Sequence, residues 1–438
     1  MRVAIDTHGC RLNRFESDAM AEALEREGHT LVEDPGQADV YLLNTCTVTH
    51  AADADARRAV RRARRSNPEL SIVLTGCHVD AEPERAASLP GVRAVLGNAD
   101  KGGITELLRR LGPGEGPPLV SVTALTRRMP FTPLAPAVVP RRSRALLKVQ
   151  DGCNYRCAFC IVPQVRGPSR SLAIDEVVAQ AGRIVAAGIP ELVLTGVHLG
   201  TYGRDLRPRR RLPELVRALL PQLGPSRLRL SSIDPQEIDD ELLTLMAEHP
   251  GSICRHLHLP VQAGDDGVLR RMRRGHTAAT FGETVERAAA RVPGIAIGTD
   301  VIVGFPGEDE AAFRRSEALL RRLPLAYLHV FPFSARQGTA AATMPDAVPE
   351  RERARRGAVL RELSEAMVAA RREAAAGRIA DVVVHRRPDR EGGYGALTDD
   401  FLRVRLPAEQ VVPGGRMRVR LGLDGREARA VGADADGR

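Results

Sequence analysis

The chain has 438 residues, too many for one ordinary hydrophobic core, so two or three domains are expected. Its 43% hydrophobic and 27% charged content excludes a disordered chain, and no apolar run is long enough to span a bilayer. The net charge of +9 favours a polyanionic partner, while the absence of Trp and an aromatic content of 3% argue against an extensive platform for stacked bases.

The first residues read as a strand rather than a signal peptide, which points to the cytosol. Residues 1–111 alternate short apolar runs (Arg2–Thr7, Asp39–Asn44, Ser71–Thr75) with helical stretches near Arg14–Glu27, Ala51–Arg65 and Glu82–Ser88. This βαβα pattern predicts a parallel sheet with helices on its faces, an α/β domain. Residues 112–144 carry Pro113, Pro117, Pro118, Pro130, Pro133, Pro136 and Pro140 with little periodicity, as a linker would.

From Ala145 the alternation resumes. Strands are expected at Ala145–Gln150, Glu191–Thr195, Arg227–Leu230, His256–Leu259, Ile295–Val303 and Ala326–Phe331, with helical patterns between them. Six βα units predict a complete or partial barrel, closed by a long polar helix over Pro349–Arg378. The tail, 379–438, switches to strands (Ala380–His385, Gly395–Leu397, Phe401–Leu406, Arg416–Leu421, Glu427–Val431) separated by Gly/Asp turns, the pattern of a small β-barrel.

Seven cysteines, an odd number, are poor disulfide candidates in a reducing compartment and remain available to metals. Cys153, Cys157 and Cys160 form a C-x3-C-x2-C loop directly after a strand. Three thiolates on one loop can hold three irons of a 4Fe–4S cube and leave the fourth open to a ligand. Zinc is the weaker reading, because no fourth ligand follows at finger-like spacing, and three unconnected structural thiols the weakest. Cys10, Cys46 and Cys77 are dispersed, but each follows a predicted strand of the first domain. Loops after parallel strands gather at the carboxyl edge, so these thiols are expected to converge on a second cluster, against the alternative of three buried apolar cysteines. Cys254 has no partner by spacing and reads as an ordinary buried thiol.

The C-x3-C-x2-C loop with Phe159 before its last cysteine resembles the radical S-adenosylmethionine (SAM) signature, and with Cys10, Cys46 and Cys77 it resembles the methylthiotransferase family. The segments Asn44–His50, Thr195–Gly203, Leu230–Pro235, His256–Gln262, Thr299–Gly307, His329–Ser334 and Met344-Pro345 look like the branch acting on N6-threonylcarbamoyladenosine next to the tRNA anticodon. His8, His78-Val-Asp80 and Gln164 depart from the family pattern near the cysteines, and Gly393-Tyr394-Gly395 only partly matches the tail motif.

The resemblance implies an auxiliary-cluster domain (1–111), a radical SAM core (145–378) and a TRAM-like β-barrel (379–438). It implies two 4Fe–4S clusters, on Cys10/Cys46/Cys77 and on Cys153/Cys157/Cys160, with SAM chelating the open iron of the second. Phe159 would pack near the adenine, Thr195, Gly196, Val197 and His198 would receive the SAM amino group, and Ser232 and Gln262 would make polar contacts to SAM. The reaction implied is 2-methylthiolation of the tRNA base, fed by a low-potential donor such as flavodoxin or ferredoxin. Alternatives are the same chemistry on isopentenyladenosine or on a ribosomal protein aspartate, or an iron–sulfur RNA-binding protein without catalysis. For tRNA, Arg57, Arg61 and Arg64 recur along one predicted helical face, either as phosphate contacts or as a solvated surface.

Overall fold

The computed structural model describes residues 1–112, 116–126, 129–131, 134 and 142–431, without the His50 side chain. The linker expected over 112–144 therefore lies partly outside the described residues, including Pro113, Pro133, Pro136 and Pro140.

Strands β1 (Arg2–Thr7), β2 (Thr30–Val32), β3 (Val40–Thr45), β4 (Ser71–Gly76), β5 (Val92–Leu96) and β6 (Leu119–Ser121) form one parallel sheet in the order β2-β1-β3-β4-β5-β6. Strand β3 is buried along its whole length because helices cover both faces. Val40 and Leu42 face Met20 and Leu24 of the helix Arg11–Arg26, while Tyr41 and Leu43 face Ala56, Val60 and Ala63 of the helix His50–Ser66. Each such apolar side chain stabilises the fold by about 1.5–3 kcal/mol on full burial. The pattern of the sequence does not announce β2, β5 or β6. Two of these are three-residue strands, and β6 falls in the proline-rich stretch, so none carries much periodicity.

The second region begins with β7 (Arg144–Lys148) and a two-residue antiparallel pair, β8 (Gln150–Asp151) with β9 (Arg170–Ser171). Then come β10 (Glu191–Thr195), β11 (Arg227–Leu230), β12 (His256–His258), β13 (Ala296–Val303) and β14 (Tyr327–Pro332). Parallel triplets β11-β10-β7 and β12-β13-β14 are joined by bridges Leu228–Ile253 and Ser232–His258, giving six strands that curve into a partial barrel. Among the described residues β7 and β14 do not pair, so the barrel is open along that seam. Alternation sorts the side chains: Leu192, Leu194, Leu228 and Leu230 pack outward under the helices, leaving Glu191, Val193, Arg227 and Arg229 for the inside. The helix Glu350–Ala374 packs along β14, where Ser364 Oγ accepts from Leu328 N–H at 2.9 Å.

The tail strands β15 (Ile379–Val384), β16 (Tyr394–Thr398), β17 (Arg403–Leu406), β18 (Arg416–Leu421) and β19 (Ala428–Ala430) form an antiparallel sheet ordered β17-β16-β15-β18-β19. It gives the small β-barrel expected the form of a curled half-barrel, whose edges meet at the bridge Arg405–Glu427. Phe401, expected to open a strand, instead sits at φ 71 in the turn that closes with Phe401 N–H on Thr398 O. This turn docks onto the barrel through buried arginines: Arg229 donates to Thr398 O (3.0 Å) and Asp399 O (3.1 Å), and Arg227 to Leu397 O (2.9 Å). No helix among the described residues is long and apolar enough to cross a membrane.

Candidate functional site: two cysteine groups and an arginine-lined lumen

The loop carrying Cys153, Cys157 and Cys160 leaves the carboxyl end of β7 and β8. Gly152 (φ 69) makes the turn possible, since a Cβ there would lie 2.0 Å from Pro168 O. Cys153 N–H donates to Gly167 O (3.0 Å) and Cys160 N–H to Cys157 O (3.1 Å), which folds the three thiols toward one point. Tyr155 N–H lies 3.4 Å from Cys153 Sγ, and the Arg274 guanidinium donates to Cys157 Sγ at 3.4 Å. Arg274 is in turn paired with Asp234. Burial pushes the Cys153 thiol up to about 11 and the Cys160 thiol up to about 12. Such thiols become thiolates only against a bound cation, and three of them suit a cluster iron set with one open corner.

Cys10, Cys46 and Cys77 follow β1, β3 and β4, three adjacent strands, and meet at the sheet's carboxyl edge. The approach is close: a Cβ on Gly9 (φ 100) would lie 2.6 Å from Cys46 Cβ. Asn13 Nδ2 ties this edge together by donating to His8 O (2.8 Å) and Thr45 O (2.9 Å), and Asn98 Nδ2 lies 3.7 Å from Cys77 Sγ. Cys46 and Cys77 are buried and Cys10 is exposed, so the group opens on one side. Burial raises the Cys46 thiol to about 11 and also raises that of Cys77.

Behind Cys77 lies a buried ionic network. Glu16 accepts from Lys148 (2.8 Å) and Arg166 (2.8 Å) and pairs with Lys101, while Asp151 pairs with Lys148 (2.7 Å), Arg166 (3.1 Å) and Arg170 (3.7 Å). Lys101 and Arg166 of this network also act on Cys77, favouring its thiolate against the effect of burial. The donor set thus fits a cluster at each site. The same network joins the first domain, through Glu16, to the barrel, through Lys148 and Arg166.

His78 and Asp80, which depart from the family pattern, belong to this surround. His78 Nδ1 is 3.3 Å from Asp53, which also takes Arg336 of the barrel at 2.6 Å, and Asp80 accepts Asn98 N–H at 2.9 Å. Gln164 reaches Gly338 O at 2.7 Å, and His8 lines a cavity of about 320 Å³ beside Gly9.

Thr195 and Gly196 end β10 beside the Cys153 loop, and a Cβ on Gly196 would press on Gln150 at 2.9 Å. His198 is buried, its N–H bonded to Gln150 Oε1 (2.8 Å) and its Nδ1 3.5 Å from Cys153 Sγ. Burial lowers His198 to about 4, so it is a neutral imidazole at physiological pH. Val197 is half-buried, and Phe159 packs against Phe305 and its neighbours. Ser232 and Gln262 lie at strand ends of the same rim, Gln262 at φ 70 with N–H on Asp300 O (2.9 Å). Sequence reasoning missed Gln150, Arg274 and Asp234. Gln150 and Asp234 lie within or beside predicted strands and family-like segments, but nothing in their spacing marks them as partners of the cysteine loop.

A cavity of about 720 Å³ opens on the β7 side of the barrel seam, against β7, β10 and β11 and between all three regions of the chain. Arg11 and Arg14 reach it from the first domain, Arg144 and Arg229 from the barrel, and Phe401 and Arg403 from the half-barrel. Behind the cavity wall, Phe401 stacks on the buried His256 (4.2 Å between centroids), and Tyr327 Oη sits 2.9 Å from His256 Nε2 and 3.1 Å from His258 Nδ1. Asp300 Oδ1 bonds both His258 (2.8 Å) and His329 (3.2 Å). Arg57, Arg61 and Arg64 lie elsewhere, on the helix His50–Ser66; Arg61 is exposed, Arg57 half-buried, and Arg64 lies over Gly91.

A parallel domain with three strand-end thiols, followed by a partial barrel with a C-x3-C-x2-C loop, defines an iron–sulfur enzyme of the radical SAM type. Residues 147–320 match the Radical SAM superfamily, and residues 2–97 match the uncharacterized protein family UPF0004. The chain is 34% identical over 423 residues (96% of this chain, 93% of the relative) to the threonylcarbamoyladenosine tRNA methylthiotransferase MtaB of Bacillus subtilis. It is 35% identical over 417 residues (90% and 83%) to a tRNA-2-methylthio-N(6)-dimethylallyladenosine synthase of Sorangium cellulosum. Its fold is similar to the radical SAM methyltransferase TsrM of Kitasatospora setae, with a TM-score of 0.57 at 16% identity, covering 78% of this chain and 77% of that one. The chain belongs to the radical SAM methylthiotransferase family, and SAM and two 4Fe–4S clusters are the cofactors of that family.

Proposed function

We propose that this protein converts N6-threonylcarbamoyladenosine next to the anticodon of tRNA to its 2-methylthio derivative. The observation that carries the reading is the pairing of two thiol groups, each at a strand-end rim, with Cys77 packed against Ile161 and Val165 just beyond the Cys153/Cys157/Cys160 loop. Relatives named for threonylcarbamoyladenosine reach 39% identity over 83% of the chain, against 35% for those named for dimethylallyladenosine or ribosomal protein uS12, which supports this target.

In this reading, residues 1–111 hold the auxiliary cluster on Cys10, Cys46 and Cys77, residues 145–378 form the radical SAM core, and 379–438 form the TRAM-like part. Cys153, Cys157 and Cys160 would hold the cluster that would pass an electron to SAM, and Cys10, Cys46 and Cys77 the one that would supply sulfur, with the methyl group coming from another SAM. Thr195 to His198 orient the SAM amino group, with Gln150 fixing His198; Phe159 packs by the adenine, and Ser232 and Gln262 hold polar SAM atoms at the rim. Arg14 and Arg403 at the seam, and Arg57, Arg61 and Arg64 on their helix, are the candidate phosphate contacts. The enzyme acts in the cytoplasm and takes electrons from a flavodoxin or ferredoxin.

The test is nucleoside mass spectrometry of tRNA from cells lacking the gene and from cells carrying the Cys46→Ala protein. The 2-methylthio derivative should vanish in both, with threonylcarbamoyladenosine accumulating, while purified Cys46→Ala protein still cleaves SAM. Loss of the dimethylallyl product instead would reassign the substrate.

A further inference from the structure

Among the described residues, the wall of the lumen carries a cation without a counter-ion of its own. Glu191 is shared by Arg227 (2.7 Å), Arg229 (2.8 Å) and Arg144 (3.7 Å), and Asp300 is taken by His258 and His329. Arg229 further donates to backbone carbonyls of the Phe401 turn. Arg11 also faces this group, near Tyr327, Arg229, Glu191 and Asp300, yet its guanidinium has no hydrogen-bond or ion-pair partner among the described residues. It remains solvent-accessible, and it sits immediately after Cys10 on the first turn of the helix Arg11–Arg26. The lumen thus offers the part-exposed ring of Phe401, backed by the buried His256, beside an unmatched, fork-shaped positive group.

We infer that Arg11 is the specificity-determining residue that pairs with the carboxylate of the substrate's N6 substituent. This rests on the function proposed above and deepens it. A threonylcarbamoyl group carries one carboxylate on an otherwise neutral purine, whereas a dimethylallyl group carries none. A planar guanidinium at the wall of the lumen discriminates the two by charge, and it can do so bidentately. An RNA phosphate would satisfy the same guanidinium, so the test must hold phosphates constant.

The experiment uses the reconstituted holoenzyme and two anticodon stem-loop RNAs that differ only in the N6 substituent, threonylcarbamoyl acid or its methyl ester. Each is assayed for kcat/KM with the wild type, Arg11→Gln and Arg11→Lys. The wild type should prefer the acid by roughly 10–100-fold, the range for a hydrogen bond to a charged group. Arg11→Gln should bring the acid/ester ratio near one by lowering the acid rate far more than the ester rate, and Arg11→Lys should retain part of the preference. SAM cleavage without RNA, and iron content, report any disturbance of the neighbouring Cys10; the acid/ester ratio is internal to each protein, so partial cluster loss cancels from it. A wild type without acid preference, an Arg11→Gln protein that keeps it, or an equal loss on both RNAs, as a phosphate contact predicts, would each overturn the inference. A wild type that methylthiolates neither RNA would instead remove the proposed function on which it rests.

Discussion

The two cysteine groups reach similar chemistry by opposite routes. Cys153, Cys157 and Cys160 are placed by eight residues of one loop, and their neighbours Tyr155, His198 and Arg274 touch the thiols directly. Cys10, Cys46 and Cys77 are placed by the register of three strands, held by Asn13 and Asn98 and backed by the buried cations Lys101 and Arg166. A local site survives as long as its loop does. A dispersed site exists only while the sheet and its docking to the barrel persist, so its stability is tied to the tertiary structure.

The largest separation of the two should come from iron counting. The reconstituted wild type should hold about eight irons per chain, and a Cys153/Cys157/Cys160 triple Ala variant about four. The variant should lose SAM cleavage entirely. Four irons in the wild type and none in the variant would leave the upstream cysteines structural. The next effect concerns the docking. Glu16→Gln removes the carboxylate shared by Lys101, Lys148 and Arg166, leaving buried cations uncompensated, a change of about 3–5 kcal/mol. Urea denaturation should show that loss, with auxiliary iron falling before the iron of the loop. Equal loss from both sites would mean that the dispersed group is no more dependent on docking than the local one.

The legibility of the two sites differs for the same reason. The C-x3-C-x2-C loop is readable because its geometry is encoded within one short loop, and the apolar runs of β7 and β10 to β13 are readable because those strands are largely buried behind helices. Convergence of Cys10, Cys46 and Cys77 is readable only through topology, by placing each after a strand of one parallel sheet. The lumen is not readable. Arg11, His256, Asp300, Tyr327 and Phe401 come from separate segments, and each reads locally as an ordinary strand or helix residue. Phe401 in particular reads as a strand residue, because nothing local signals a left-handed turn at a bulky side chain. The low aromatic content argues against an extensive stacking platform; the structure concentrates a few rings at one place instead.

A smaller effect tests the other docking, between barrel and half-barrel. Burial alone would raise Glu191, but Arg229 and Arg227 more than offset it and hold the carboxyl at about 2. A carboxylate depressed on folding contributes stability that is complete above its ordinary range and is lost as pH falls through the folded value. Stability should therefore be flat near neutrality and decline from roughly pH 5 toward pH 2 by a few kcal/mol, an order-of-magnitude figure. In Glu191→Gln, where no proton can be taken up at this position, the acid limb of a denaturation-against-pH curve should be shallower, on a lower plateau. An unchanged acid limb would show that other carboxylates, Asp151 among them, govern it.

The smallest effect decides which arginines meet the RNA. Among the described residues the side chains of Arg14 and Arg403 have no hydrogen-bond or ion-pair partner, although both line the seam, whereas Arg142 nearby is paired with Asp18. Arg64 lies over Gly91 with its aliphatic stem, and truncating it exposes that surface as well as removing a charge. Removing one arginine that neutralises a phosphate should flatten the slope of log affinity against log salt by about 0.7–0.9. Arg14→Ala with Arg403→Ala should therefore reduce the slope by nearly twice that amount, uniformly across tRNA sequences and without altering SAM cleavage. The Arg57/Arg61/Arg64 triple Ala variant is the comparison. If it flattens the slope as much, the RNA wraps from the seam onto the first domain's helix; if only it does so, the seam admits the base alone and the backbone is held outside it.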